Sequence, residues 1–241
     1  MSPNPEAFLQ HLRQLGYHPR SDKHSNALAE AIVVDLLAAC PALAQRAREG
    51  ALVYDLNFTL SAGTSDWRVD LVLGAPSPGT MPPNGGTAIR RTRPSTVHMA
   101  IEIKSVMTEH HKAIKNRKRD FEAHQEHVHR YNNLAIAGGV LVVNQAETFR
   151  SPLRPEVTRH KDPKALVKHC ILQMRSVASR PGLEGAGLEA KAVLVVDMDN
   201  QNLGATRFVT EAPAPAVGDP LHYDAFLQAL CSLYGQRFGA H

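Results

Sequence analysis

The chain has 241 residues, 43% of them hydrophobic and 21% charged, with a formal net charge of +4 and a pI near 9.1. That is material for one sizeable folded domain over residues 1–241, and the mild basic excess favours polyanionic partners over acidic proteins or membranes. The three cysteines, Cys40, Cys170 and Cys231, are odd in number and far apart, which argues against a disulfide framework or a cysteine zinc site and reads as buried thiols. The 13 histidines are scattered rather than set at zinc-ligand spacing.

The N-terminus MSPNPEAFLQHLRQLG carries no hydrophobic signal core. Residues 25–40 (SNALAEAIVVDLLAAC) are apolar nearly all round, as for a buried helix, with Ser25 or Asn26 placed to cap it. Residues 51–60 alternate, with Leu52, Tyr54, Leu56, Phe58 and Leu60 on one face, the period-two pattern of a strand. A turn at residues 61–65 leads to a second alternating run, 66–73, which sets Trp67, Val69, Leu71 and Leu73 against Asp66, Arg68, Asp70 and Val72. The two runs read as a hairpin. Residues 74–96 form a Pro/Gly/Thr-rich loop ending in Arg90, Arg91 and Arg93.

A third strand spans 97–104, where His98, Ala100, Glu102 and Lys104 oppose Val97, Met99, Ile101 and Ile103. The period then changes: Met107, Ile114, Phe121 and Val128 recur every seventh residue, one narrow stripe on a long polar helix ending near Tyr131. Leu134–Val143 is a continuous apolar run, the mark of a central strand buried on both faces and too short to cross a bilayer. Helices at 163–179 and 219–237 and a strand at 192–196 complete the chain. The order predicts an α/β fold with a mixed central β-sheet flanked by helices, in a soluble, cytoplasmic protein.

The polar faces of the second and third strands hold Asp70, Glu102 and Lys104. Glu102 and Lys104 are two apart and project from one side of their strand. If the strands pair, Asp70 lies beside Glu102, and two adjacent carboxylates repel unless a cation sits between them. A hard divalent ion with oxygen ligands suits that place, and a neighbouring lysine can hold the attacking water and offset developing negative charge. The combination suits metal-assisted phosphodiester hydrolysis.

WRVDLVLG, a gap, then MAIEIKS resembles the PD-(D/E)xK nuclease superfamily, which includes type II restriction endonucleases, Holliday-junction resolvases and related repair and defence nucleases. The resemblance covers about residues 25–143, implies an αβββαβ core, and leaves 144–241 as a C-terminal extension that completes the sheet and reads DNA or dimerises. Carried over, it implies Mg²⁺ (Mn²⁺ substituting) held by Asp70, Glu102, the carbonyl of Ile103 and, by position on the first helix, Glu30, with Lys104 serving the water. Val69 stands where the motif has proline, and the gap between the acidic residues is long. The glutamate-x-lysine spacing alone recurs in many proteins, and a Glu102–Lys104 pair on an exposed strand face is its bland reading. Glu30 could equally pair with Arg68. Asp35 and Asp55 are lesser acidic candidates.

Lys112, Lys115, Arg117, Lys118 and Arg119 open the long helix and can track a phosphate backbone; paired with Asp120 and Glu122 they would be only a solvated face. Arg90, Arg91 and Arg93 are either further DNA contacts or a charged loop. His124, His127 and His129 do not share one helix face and read as surface. Asp197 and Asp199 read as loop capping. The expected function is a Mg²⁺-dependent endonuclease of restriction or defence type, acting on double-stranded DNA as a homodimer. The alternatives are a structure-specific or repair nuclease and a non-catalytic nucleic-acid-binding module. No GxxxxGK[ST] motif is present, which favours a stand-alone cutter.

Overall fold

Residues 5–62, 65–83, 88–108 and 111–239 are described by a computed structural model. The long apolar runs become the middle of a seven-stranded sheet. Strands β1 (Val53–Ala62), β2 (Ser65–Ala75), β3 (Arg90–Arg91), β4 (Thr96–Val106), β5 (Ile136–Asn144), β8 (Ala190–Asp197) and β9 (Arg207–Phe208) lie in the order β3-β1-β2-β4-β5-β8-β9. The β1–β2–β4 meander is antiparallel, β4, β5 and β8 are parallel, and a separate two-stranded hairpin pairs β6 (Thr148–Arg150) with β7 (Val157–Arg159). The sheet is therefore mixed, as the sequence pattern predicts. Every residue of β5 is buried, because helices cover both faces of the parallel half.

On one face lie α1 (Glu6–Leu15), α2 (Lys23–Ala39), α3 (Pro41–Arg48) and α6 (Tyr223–Phe238), which pack Leu28, Ile32, Leu36, Phe226 and Leu230 against Leu71, Ile101, Ile103 and Val140. On the other lie α4 (His111–Tyr131) and α5 (Pro163–Ser176), with Ile114, Phe121 and Val128 packed among Val69, Val72, Ala100 and Leu141. The seven-residue stripe of α4 is thus a buried seam. Gly139 lets that seam approach β5, since a Cβ there would meet Phe121 at 2.8 Å.

Several local expectations are corrected. Neither Ser25 nor Asn26 caps α2: the helix begins at Lys23, and the Ser25 hydroxyl donates to the Asp22 carbonyl. α1 and α3 were not anticipated, being short and carried by contacts with α2 and α6. Cys40 and Cys231 form a disulfide across 191 residues, leaving Cys170 as a buried thiol. The chain-order distance hid that pair, because the end of α2 meets α6 only once both cover the same sheet face. The even residues of β1 do not share one face: Tyr54 and Leu56 pack on the α2 side, whereas Phe58 and Leu60 enter the α4 side. The switch falls at Asn57, whose φ of 54° is left-handed, a conformation asparagine tolerates. The expected turn at 61–65 falls partly outside the described residues. Among the described residues no single helix is long and apolar enough to cross a membrane.

Candidate active site

The β2–β4 ladder runs from Ala75↔Thr96 to Leu71↔Ile101 and stops there. At the next position β2 changes faces, with Leu71 on the α2 side and Val69 on the α4 side. Asp70 sits at this kink, opposite the left-handed Asn57 of β1, and the ladder between β1 and β2 skips that one position. The strands part, and a side chain replaces the missing rung: the Ile103 N–H donates to Asp70 Oδ2 at 2.7 Å. N–H and C=O of one strand residue point to the same edge, so the Ile103 carbonyl faces the same gap.

Glu102 and Lys104 flank Ile103 on β4. Ile101 and Ile103 are buried on the α2 side, which turns Glu102 toward α4. Glu102 is 2% exposed; its Oε1 accepts from the Lys104 ammonium, and its Oε2 has no hydrogen-bond partner. His124 Nδ1 of α4 lies 3.7 Å from that second oxygen and is likewise buried and unpartnered.

Burial dominates the electrostatics. It pushes the Glu102 carboxyl up to about 8, helped by the negative charge of Asp70 and opposed by Lys104. Asp70 is also raised by burial, against the pull of Lys104 and the Ile103 N–H, with Asp22 adding to the rise and the Ser25 hydroxyl opposing it. Burial works against the charge of Lys104, but Glu102 and Asp70 more than offset it, so the ammonium titrates above its usual range. The centre is a pair of under-compensated carboxylates with one cation on them, the kind of perturbed cluster that marks functional sites.

Among the described residues no three His, Cys, Asp or Glu side chains are grouped to hold a metal ion. Asp70 and the Ile103 carbonyl lie at the gap, and the Glu102 carboxylate of the adjoining residue is close enough for Asp70 to act on it electrostatically. That all-oxygen set, with a buried carboxylate oxygen lacking a partner, fits a hard divalent cation that keeps much of its water shell, and does not fit zinc.

The other sequence-predicted residues are distributed more widely. Glu30 is 51% exposed on α2 and pairs with Arg91 at 3.5 Å; the acid and hydroxyl that act on Asp70 are Asp22, just before α2, and Ser25 in its first turn. Arg68 pairs with Asp22 at 2.8 Å rather than with Glu30. Asp35 accepts from Tyr223, and Asp55 from the neighbouring Leu56 N–H. Arg90 donates to the Pro82 carbonyl, and the Arg93 guanidinium lies 4.4 Å over the Phe58 ring. On α4, Arg117 pairs with Asp120 and Lys118 with Glu122. Lys115 and Arg119 are exposed; the side chain of Lys112 lies outside the described residues. Asp199 caps its own loop through the Gln201 and Asn202 N–H groups, and Asp197 pairs with Arg207.

The histidines correct the surface reading. His124 is fully buried, His127 stacks on Trp67 at 4.9 Å, and His129 meets Glu189 at 3.1 Å. The signal for His124 was available: it follows Phe121 by three and precedes Val128 by four, which places it on the buried stripe. Asp120, which raises Glu102 further, lies one turn before His124 on α4. No protein-family model, curated protein or solved structure matches the chain.

Proposed function

We propose that the protein is a divalent-metal-dependent endonuclease that hydrolyses DNA phosphodiester bonds at the gap between β2 and β4. The observation that carries this reading is the buried Asp70–Glu102 carboxylate pair with Lys104 directly on it. The element order α2, β1, β2, β4, α4, β5, with α3 inserted after α2 and the two-residue β3 between β2 and β4, supports an αβββαβ nuclease core. Asp70, Glu102 and the Ile103 carbonyl would hold Mg²⁺ or Mn²⁺, which when bound polarises a phosphoryl oxygen and acidifies water.

The chain's own groups perform the rest. The Ile103 N–H fixes the Asp70 carboxylate in the gap. Lys104 keeps an ammonium at the reacting phosphate, where it donates a hydrogen bond and offsets developing negative charge. Lys115 and Arg119, exposed on the same helix that packs behind Glu102, supply phosphate contacts that position DNA without reading its sequence. Glu30 and Arg91 neutralise each other and are left out of the reaction.

Incubating supercoiled plasmid with the protein in Mg²⁺, in Ca²⁺ and in excess EDTA tests the reading. Cleavage in Mg²⁺ alone is expected. Discrete fragments indicate a restriction-type enzyme, and nicks or cuts at branched substrates a structure-specific one. Equal cleavage in EDTA, or none with any divalent ion, rejects the proposal.

A further inference from the structure

The β6–β7 hairpin carries charge that the fold does not use. Its register pairs Phe149 with Thr158 on one face and sets Arg150 and Arg159 on the other as diagonal neighbours, a spacing of about 7–8 Å. Arg154 sits in the connecting turn, and all three arginines are exposed. Among the described residues none of the three makes a side-chain hydrogen bond or an ion pair, whereas Arg68, Arg175 and Arg207 each meet an acid. The acids nearest in the chain are Glu147, Glu156 and Asp162, and Asp162 is occupied in capping α5.

The scaffold under these charges is fixed. Phe149 is 1% exposed and packs edge-on to the Tyr17 ring at 6.1 Å. The His160 ring donates from Nδ1 to the Ala146 carbonyl at 2.6 Å, and the Asn200 amide donates to the carbonyls of Arg150 and Tyr17 at 2.8 and 3.0 Å. Pro152 and Pro155 restrict the turn. Like charges held side by side repel, but a preorganised set loses little freedom when an anion docks on it.

The hairpin also adjoins the candidate active site. Leu153 and Arg154 line a cleft of about 250 Å³ together with Tyr17, Ser105 of β4 and Ala113 of α4. Ser105 directly follows Lys104, and α4 is the helix that exposes Lys115 and Arg119. We propose that the β6–β7 hairpin is a second DNA-contact element, in which Arg150, Arg154 and Arg159 bind backbone phosphates of the duplex. The guanidinium fork matches phosphate oxygens. The choice of DNA over an acidic protein rests on the nuclease reading; the exposed, unpaired arginines do not.

Duplex affinity of the full chain, measured by fluorescence anisotropy in Ca²⁺ across a range of salt concentrations, tests this. Replacing Arg150, Arg154 and Arg159 together by alanine should flatten the slope of log K against log salt by about 3. Replacing all three by lysine should retain the slope. A control that removes the same charge elsewhere, Arg48, Arg130 and Arg175 together by alanine, should leave it nearly unchanged. Thermal melting shows that each variant is folded. Equal losses in the hairpin and control variants reduce the effect to net charge and overturn the proposal. An unchanged slope in the hairpin variant, or no duplex binding by the wild type, overturns it whether or not plasmid is cut in Mg²⁺. Equally tight binding of polyglutamate at the same salt would assign the hairpin to an acidic partner instead. If the hairpin variant loses its slope but the wild type cleaves DNA with no divalent ion, the contact stands and the nuclease reading falls.

Discussion

Two glutamates of this chain have side chains only 2% exposed, and they titrate in opposite directions. Burial alone would raise both. At Glu189, donors from every side reverse it: His129 at 3.1 Å, the Ala137 N–H at 2.8 Å, Arg180 at 3.0 Å and Arg237 at 2.9 Å hold the carboxyl down at about 2. At Glu102 one lysine serves one oxygen, the other oxygen is orphaned, and a second carboxylate stands nearby, so the carboxyl rises to about 8. Glu189 is a finished structural network joining α4, β5, α6 and the segment before β8. Glu102 is a buried carboxyl left incompletely paired, the kind of perturbed group that clusters at functional sites.

The largest expected effect follows from that incompleteness. Lys104→Ala should lower the cleavage rate by about 10²- to 10⁴-fold, with DNA affinity in Ca²⁺ changed far less, since one phosphate contact is a small part of the electrostatic total. Single-turnover cleavage and binding curves on the same variant check this. Loss of binding with cleavage per complex preserved would reduce Lys104 to a backbone clamp.

Next comes Glu189→Gln, which strips the countercharge from buried Arg180 and from Arg237. Breaking a buried pair on one side costs about 3–5 kcal/mol, read as a lower urea midpoint. Because the folded Glu189 carboxyl lies below its unfolded value, its stabilisation is present above the unfolded pKa and is lost as pH falls toward 2. The variant should therefore lose less stability than wild type through that acid range. Wild-type stability at neutral pH would show that the network is dispensable.

Glu102→Gln should act with the opposite sign. The folded carboxyl is raised, so the native state holds a proton that the unfolded chain has released, and stability falls as pH rises from the unfolded pKa through about 8. In metal-free buffer the glutamine variant should lack that slope and be the more stable protein at pH 8, while failing to cleave DNA. Denaturant titrations at several pH values check both points. An unchanged slope would mean Glu102 is already compensated, and the contrast with Glu189 would collapse.

The smallest effect concerns the two ends of α4. Lys115 and Arg119 are exposed toward its start, whereas Arg130 at the far end is held by Glu126. Replacing Lys115 and Arg119 together by alanine should lower the slope of log K against log salt by about 2. Arg130→Ala should leave it nearly unchanged. Equal effects would place DNA along the whole helix or off it.

How far the site was legible can be argued residue by residue. Alternation put Asp70, Glu102 and Lys104 on strands and made Glu102 and Lys104 neighbours, because period two is a local property of the backbone. The same alternation misplaced Phe58, Leu60 and Val69. It assumes an unbroken strand, and Asn57 and Asp70 break theirs at the one level where β2 leaves β4. Position along a helix points to Glu30, but helix rotation about its own axis is set by packing, which brings Ser25 rather than Glu30 to act on Asp70. Of the three histidines on α4, the buried stripe picks out only His124, a distinction that the group's shared spacing hides.

The sequence by itself determined the α/β class, the doubly buried centre of the sheet, the seam of α4 and the three residues of the acid–lysine cluster, since all of these follow from local periodicity and hydrophobic burial. Only the tertiary structure decided that the strands part at Asp70, that a carboxylate replaces the missing backbone rung, that His124 faces Glu102, and that Cys40 meets Cys231. Those are contacts between segments distant in the chain. Their geometry depends on how two helical layers settle on one twisted sheet, and no spacing within a single element encodes it.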